Sequence, residues 1–247
     1  METEEKNQAT LEIMTTKESL MMHPDARLIC GSEVGDAWSI STDVALGLTE
    51  SYMRAKLGAR VDEGFLSDQL DYAWQIISVM AEKPDAWIIL MGPKGVGKSL
   101  VAWAISRWVH SPRNERHTFV PWYEMSGRVS LLGYDAVRRM INNPVLTIDD
   151  LGMEPRWANH MGNRIDFVQI ILSGRYDYAH DRVLFYKLQE GIPRRTIITT
   201  HLTREALQEK YGDHLWIQRV EEVSVPILIQ SSHSIRAQNK SELWEKL

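Results

Sequence analysis

The 247-residue chain holds one cysteine, Cys30. A lone thiol excludes an internal disulfide framework and a four-cysteine zinc module, so no zinc is expected. No apolar run approaches the 18 or so residues that would span a bilayer. Met1 to Asn7 is acidic and polar, without the apolar centre of a secretory signal. A cytoplasmic protein with no membrane attachment is therefore the expectation. Positive charge is not in excess either: 28 Lys+Arg stand against 33 Asp+Glu, for a net charge of −5. A protein coated with basic surface is excluded. Internal repeats and low-complexity tracts are missing, which excludes solenoids and fibrous arrays.

What charge there is lies unevenly. Residues 1–63 carry 6 Lys+Arg against 12 Asp+Glu, leaving 22 against 21 for the remainder of the chain. An acidic front and a near-neutral body imply separate tasks. The front reads as a tail with a short helix, then loop through residues 23–41, then a helix. In that helix Val44, Leu48, Met53 and Leu57 share one face and Gly58 is the stop. The stretch Gly58 to Gly64 is the expected hinge. The division is then an acidic, mainly helical partner-docking region over 1–63, a main domain over 64–240 and a tail over 241–247. The alternative is that the Val44–Leu57 face packs onto the main domain.

The most informative stretch runs from Ala86 to Ser99. Trp87-Ile88-Ile89-Leu90-Met91 is a strand-like apolar run. Gly92-Pro93-Lys94-Gly95-Val96-Gly97-Lys98-Ser99 follows and fits G-x-x-x-x-G-K-S/T in full. Val101, Ala104, Ile105 and Trp108 then recur at helical spacing. Glycines let successive backbone N–H groups converge on phosphate oxygens, and the helix start adds its positive end. Lys98 would reach the outer phosphates and Ser99 would hold Mg²⁺. A nucleotide with Mg²⁺ is the implied ligand.

A second signal is Asp149-Asp150, closing the apolar run Val145-Leu146-Thr147-Ile148. Acids at the C-terminal end of a strand sit where open α/β sheets bind ligands. Asp149 suits a metal and Asp150 suits orienting water. Lys98 and Asp149 lie 51 residues apart with one more strand, near Thr118–Val120, between them. That spacing leaves room for a strand inserted between the two motif strands. No N-K-x-D motif for guanine is present, which favours ATP. Further strands are expected over 195–200 and 223–230, and helices over 66–80, 131–142 and 165–176. Alternating strands and helices imply a parallel five-stranded sheet covered on both faces.

Several blocks resemble the DnaC/IstB group of AAA+ ATPases. Val145–Glu154 is similar to its I-I-D-D-L-G-x-E signature, and Ile170–Tyr176 to its I-I-x-x-R-Y helix. Thr196–Leu202 resembles its T-I-I-T-S-N-L strand, Tyr211-Gly212-Asp213 with Arg219 its Y-G-x…R segment, and Ser234-Ile235-Arg236 its S-Y-R. The resemblance implies a three-layer P-loop NTPase fold without a C-terminal helical lid. It implies ATP hydrolysis, assembly of copies through their ATP sites, and single-stranded DNA as a partner. The client would be a replicative helicase or, alternatively, a transposase; a nucleotide-gated scaffold that hydrolyses little is a third reading. It makes Arg219 a finger reaching a neighbour's ATP site, against a surface ion pair with Glu221 or Glu222. The sensor strand of the group ends in Asn where this chain has His201, leaving Thr200 or His201 as the contact. The group's DNA-binding insertion corresponds to the region of Trp122, Tyr123, Arg128, Arg138 and Arg139. Aromatics interleaved with positive charge suit single strands, while Trp122 and Tyr123 serve equally well as core. Arg175 would pair with Asp177 or Asp181. The lengthened 181–193 segment has no assigned role.

Overall fold

The computed structural model describes residues 27–28, 39–40, 42–58, 61–83, 86–109, 118–143, 145–180, 195–212 and 215–230. The 181–193 segment, Asp213, Arg236 and the 241–247 tail lie outside them. Two short strands, β1 (Arg27–Leu28) and β2 (Ser39–Ile40), pair antiparallel in the stretch read as loop. Then come α1 (Thr42–Leu57), α2 (Glu63–Glu82), β3 (Trp87–Met91) and α3 (Lys98–Trp108). The next elements are β4 (Thr118–Pro121), α4 (Met125–Leu132), α5 (Tyr134–Asn142) and β5 (Val145–Asp149). A hairpin of β6 (Ala158–His160) and β7 (Asn163–Ile165) precedes α6 (Phe167–His180). The described chain closes with β8 (Arg195–Thr200), α7 (Arg204–Tyr211), α8 (Leu215–Val223) and β9 (Ser224–Leu228).

Five strands form one parallel sheet in the order β4-β5-β8-β3-β9. The strand inserted between the two motif strands is thus β8, and the strand that separates them in sequence, β4, lies at the edge. The inner strands β3 and β5 are mostly apolar, and β8 is buried along its whole length although it carries three threonines, because helices cover both faces. Pro226, which has no N–H to give, falls on the edge strand β9 opposite Ile89. One core gathers Ile88, Leu90, Val101, Ile105 and Ile77 beneath α1–α3. The other gathers Trp122, Val137, Phe167, Ile171 and Ile198 beneath α4–α8.

Local chemistry sets several boundaries. Asp62 caps α2, its side chain accepting from the Phe65 N–H at 3.0 Å, and the helix ends at Glu82 with Lys83, the residue before Pro84, as its C-cap. The single helix expected over 131–142 is the last turn of α4 plus α5, separated at Gly133. Arg175 is fully buried on α6. Its guanidinium donates to the carbonyls of Met140 (2.7 Å), Asn143 (2.6 Å) and Arg195 (2.8 Å), and to the Thr196 hydroxyl (3.0 Å). It therefore caps the end of α5, whose last carbonyls lack helical partners; of the two acids expected to pair with it, Asp177 bonds Arg219 and Asp181 lies outside the described residues.

The α1 helix packs on the main body. Ala45 and Met53 are fully buried in the core beneath α1–α3, and Val44, Leu48 and Tyr52 lie against it. The buried Thr49 hydroxyl accepts from the indole N–H of Trp108, on α3, at 2.9 Å. Tyr52 meets Trp103 edge to face at 6.4 Å, and the Lys56 ammonium sits 4.7 Å above the same ring. Within the 1–63 stretch, α1 is thus packed as a layer on α2 and α3.

Candidate nucleotide site

The site forms where β3, β5 and β8 all end on the same edge of the sheet. After β3 the chain turns through Gly92–Gly97 into α3. Gly97 has φ 98°, and a Cβ there would stand 2.1 Å from the Gln69 side-chain oxygen, so only glycine fits against α2. The Gln69 amide donates to the Val96 carbonyl at 2.9 Å and supports the loop from behind. Lys98 is buried, its ammonium donating to the carbonyls of Gly92 at 2.8 Å and Pro93 at 2.6 Å.

Across β8 lies the acidic pair. The Thr199 hydroxyl, on β8, donates to the Asp149 carboxylate at 2.7 Å and accepts the Asp150 N–H at 2.8 Å. Ser99 also hydrogen-bonds Asp149, so the P-loop helix and the acid strand join through these side chains. Burial pushes the Asp149 carboxyl above its usual range, and the Ser99 and Thr199 hydroxyls oppose that shift. Asp150 has φ 57°, a left-handed conformation that Asp tolerates better than most residues. A hydroxyl beside a carboxylate is a donor set suited to a hard cation. A glycine loop with Gly97 pressed against α2 and Gly92 against Ile229, next to a buried lysine, suits a polyphosphate. The residues present therefore fit ATP and Mg²⁺. Thr199 is the member that sequence reasoning missed; it stood one position before the two sensor candidates.

Of those two, Thr200 is fully buried, and its hydroxyl donates to the Leu151 carbonyl at 2.8 Å while accepting the Leu202 N–H at 3.1 Å. Both bonds go to the loop after Asp150. His201 sits in the electrostatic field of Lys94, Lys98 and Asp150. Burial first, and Lys94 next, hold its imidazole below the usual range, which favours the neutral ring. Its Nδ1 has no hydrogen-bond partner among the described residues.

The fold is that of a P-loop NTPase. The phosphate loop, the acid strand and the inserted β8 between them decide it. No family model matches the chain, and no curated protein matches it. Among solved structures it is similar to the DnaC helicase loader, at 19% identity and a TM-score of 0.46, over 66% of this chain and 90% of that one. It is similar to DnaI at 20% identity and a TM-score of 0.47, over 74% and 97%. A putative primosome component from Streptococcus pyogenes serotype M3 matches at 18% identity and a TM-score of 0.46, over 69% and 80%. Among the described residues no helix is long and apolar enough to cross a membrane.

The remaining candidates scatter. Arg219, on α8, donates to Asp177 at 2.9 Å and lies 5.2 Å from the Tyr176 ring centre. Asp177 takes the place of Glu221 and Glu222, which bond Arg204 and Tyr176 instead. Trp122 is fully buried against Phe167, with ring centres 5.9 Å apart. Its ring has no open face for a base, so the expected stacking role falls to its core role. Tyr123 is exposed, as are Arg138 and Arg139 on the outer face of α5, whose inner face buries Ala136, Val137 and Met140. Arg128 pairs with Glu124 at 3.2 Å.

One basic and aromatic feature was not foreseen. The Trp157 ring, beside the β6–β7 hairpin, has Arg156 at 4.7 Å and Arg164 at 4.4 Å from its centre, and Arg156 also pairs with Asp166 at 3.5 Å. The His160 ring ties this hairpin to α4, its Nδ1 lying 3.0 Å from the Ser130 carbonyl oxygen. The turn at Met161-Gly162 between two short polar strands was the available signal.

Proposed function

We propose that this chain is an AAA+ ATPase of the DnaC type that acts in DNA replication as a loader of the replicative helicase and binds single-stranded DNA. The observation that carries the ATPase part is the chain of contacts Ser99–Asp149–Thr199–Asp150 beside the buried Lys98. In this reading Gly92 to Ser99 hold the phosphates, with Lys98 on the outer ones. Ser99 and Asp149 hold Mg²⁺, which when bound would neutralise charge on the phosphate oxygens. Asp150 orients the attacking water and accepts its proton. His201, in the field of Lys94, Lys98 and Asp150, contacts the phosphate or that water. The loader part rests on the DnaC/IstB-like blocks.

Copies of the chain assemble through their ATP sites, with Arg219 completing the neighbour's site. A guanidinium there stabilises charge that develops during transfer. On that reading Arg219→Ala keeps nucleotide affinity and loses at least about 10-fold in hydrolysis, as a transition-state contact should. Mixing it with Lys98→Ala restores some turnover, because a mixed interface holds one intact site. Turnover by Arg219→Ala at the wild-type rate counts against the finger.

Arg138 and Arg139, with Arg128 and Tyr123, form the DNA-facing surface together with the Arg156–Trp157–Arg164 stack. Arg138→Ala with Arg139→Ala is expected to weaken single-strand binding and to reduce the salt slope by about 1 to 2. Fluorescence anisotropy of a labelled oligonucleotide in ATP, across a salt series, measures both; an unchanged slope removes this face from the DNA surface. Residues 1–41 carry 8 Asp+Glu against 3 Lys+Arg and are proposed to dock the client. A chain beginning at residue 42 should then keep ATP and DNA binding and lose capture of the purified replicative helicase. Capture of a transposase by the full chain, with none of the helicase, supports the transposition-helper reading instead.

A further inference from the structure

The loop after Asp150 is held by groups that the proposed chemistry does not use. Glu154 and Tyr211 are both almost fully buried. The Glu154 carboxylate accepts the Gly152 N–H at 2.8 Å through one oxygen and the Tyr211 hydroxyl through the other. Lys210, next to Tyr211 at the end of α7, donates its ammonium to the carbonyls of Gly152 and Glu154, the latter at 2.8 Å. Burial pushes the Glu154 carboxyl above its usual range. A buried carboxylate with both oxygens bonded is costly to leave unpaired, so its partners are fixed.

What this arrangement fixes is a strained turn. Asp150 has φ 57° and Gly152 φ 103°. Non-glycine residues persist in the left-handed region only where surrounding structure imposes it. Upstream, Thr199 holds the Asp150 N–H and the Leu151 N–H bonds the Thr199 carbonyl at 2.8 Å. Downstream, the Gly152 N–H and carbonyl are both taken by the Glu154–Lys210 pair. Apolar groups meet here as well: Leu207 and Val220 pack in one core with Leu151, Ile198 and Tyr211, beside a cavity of about 320 Å³ that Ile89 and Pro226 also line. The α7 helix is joined to the Asp150 loop by these polar bonds and by the packing of Leu207 and Tyr211 with Leu151. Through Arg204, paired with Glu221, it is also joined to α8, which carries Arg219.

We infer that Glu154, Tyr211 and Lys210 form a clamp that positions Asp150 for hydrolysis; this rests on the ATPase reading above. A displacement of an ångström in such a group can lower rate 100-fold without touching binding. Tyr211→Phe, which removes one hydroxyl and little volume, is expected to lower kcat about 10-fold with ATP affinity within about twofold. Glu154→Leu should lower kcat further. Glu154→Gln should recover part of the loss, since its amide oxygen still accepts from Gly152 or Tyr211. Glu154→Leu combined with Tyr211→Phe should be no slower than Glu154→Leu alone, because both break one unit.

The measurement is single-turnover hydrolysis with ATP affinity and Tm recorded for each variant. Wild-type kcat in both Tyr211→Phe and Glu154→Leu overturns the clamp. So does an equal loss of kcat, affinity and Tm across all variants with no recovery in Glu154→Gln, which marks a merely structural contact. Asp150→Asn serves as the control. If it is inactive while the clamp variants are normal, this inference fails alone. If it hydrolyses at the wild-type rate, the role of Asp150 fails and takes the inference with it.

Discussion

Lys98→Ala is expected to weaken ATP·Mg²⁺ binding by at least about 100-fold while the chain stays folded. The ammonium is buried between two loop carbonyls, at 2.8 Å from Gly92 and 2.6 Å from Pro93. It is thus held at the mouth of the loop, where a phosphate oxygen would be its natural partner. Charge-assisted hydrogen bonds contribute roughly 1.5–3 kcal/mol each. Losing one or two of them accounts for the expected factor, since about 1.4 kcal/mol is tenfold. The alanine variant also frees two carbonyls, which water can reach at the loop surface, so the effect on folding is small. Titration of a fluorescent ATP analogue, with a thermal melt of each variant, checks both parts. Affinity within threefold of wild type would show that the 92–99 loop is not the phosphate site.

The second large effect concerns α1. From sequence, a chain starting near Gly64 should keep a working nucleotide domain, because Gly58 to Gly64 looked like a hinge. The packing of Met53, Ala45 and Thr49 against α2 and α3 predicts the opposite. Met53→Ala should destabilise the protein by roughly 2–5 kcal/mol, as for other fully buried methionines. Starting at residue 64 removes the whole layer and uncovers Trp103, Trp108 and the α2–α3 seam, so that chain is expected to aggregate or unfold. Denaturant unfolding measures the first, and expression with a thermal melt the second. A chain from residue 64 with a wild-type Tm would restore the hinge reading. The partner-docking proposal then keeps only residues before α1.

Why some of this was legible and some not follows from the range of the interactions. The P-loop, the acid pair and the five strands are local patterns: fixed spacing, apolar runs, Gly and Pro punctuation. Each was readable before any contact was known, although the strand inserted between β3 and β5 is β8, which follows Asp149 in sequence and so owes nothing to the Lys98–Asp149 spacing. The α1 docking is a long-range event. Its apolar stripe was visible, but a stripe does not say what covers it. Trp122 illustrates the same limit, since an aromatic beside arginines reads as a stacking platform until its burial is seen. Arg175 was assigned acids near it in sequence, whereas the fold brings it five oxygen acceptors from α5, β8 and the turn between α5 and β5. Thr199 escaped because a threonine inside an apolar strand is an ordinary β-former; only the neighbouring Asp149 turns its hydroxyl into part of the site. The β6–β7 hairpin is too short, at three residues a strand, to show a period.

The central claim is that Asp149 and Asp150 divide their labour at one ATP site, the first for the cation and the second for water. Single-turnover release of labelled phosphate from γ-labelled ATP, at saturating ATP·Mg²⁺ and with single-stranded DNA present, tests it most directly. The account predicts that the wild-type chain hydrolyses its bound ATP. It predicts that Asp150→Asn binds ATP with affinity within about threefold of wild type and hydrolyses it at least about 100-fold more slowly, as loss of a general base does. Phosphate release by Asp150→Asn at the wild-type rate, or loss of ATP binding equal to that of Lys98→Ala, would contradict it.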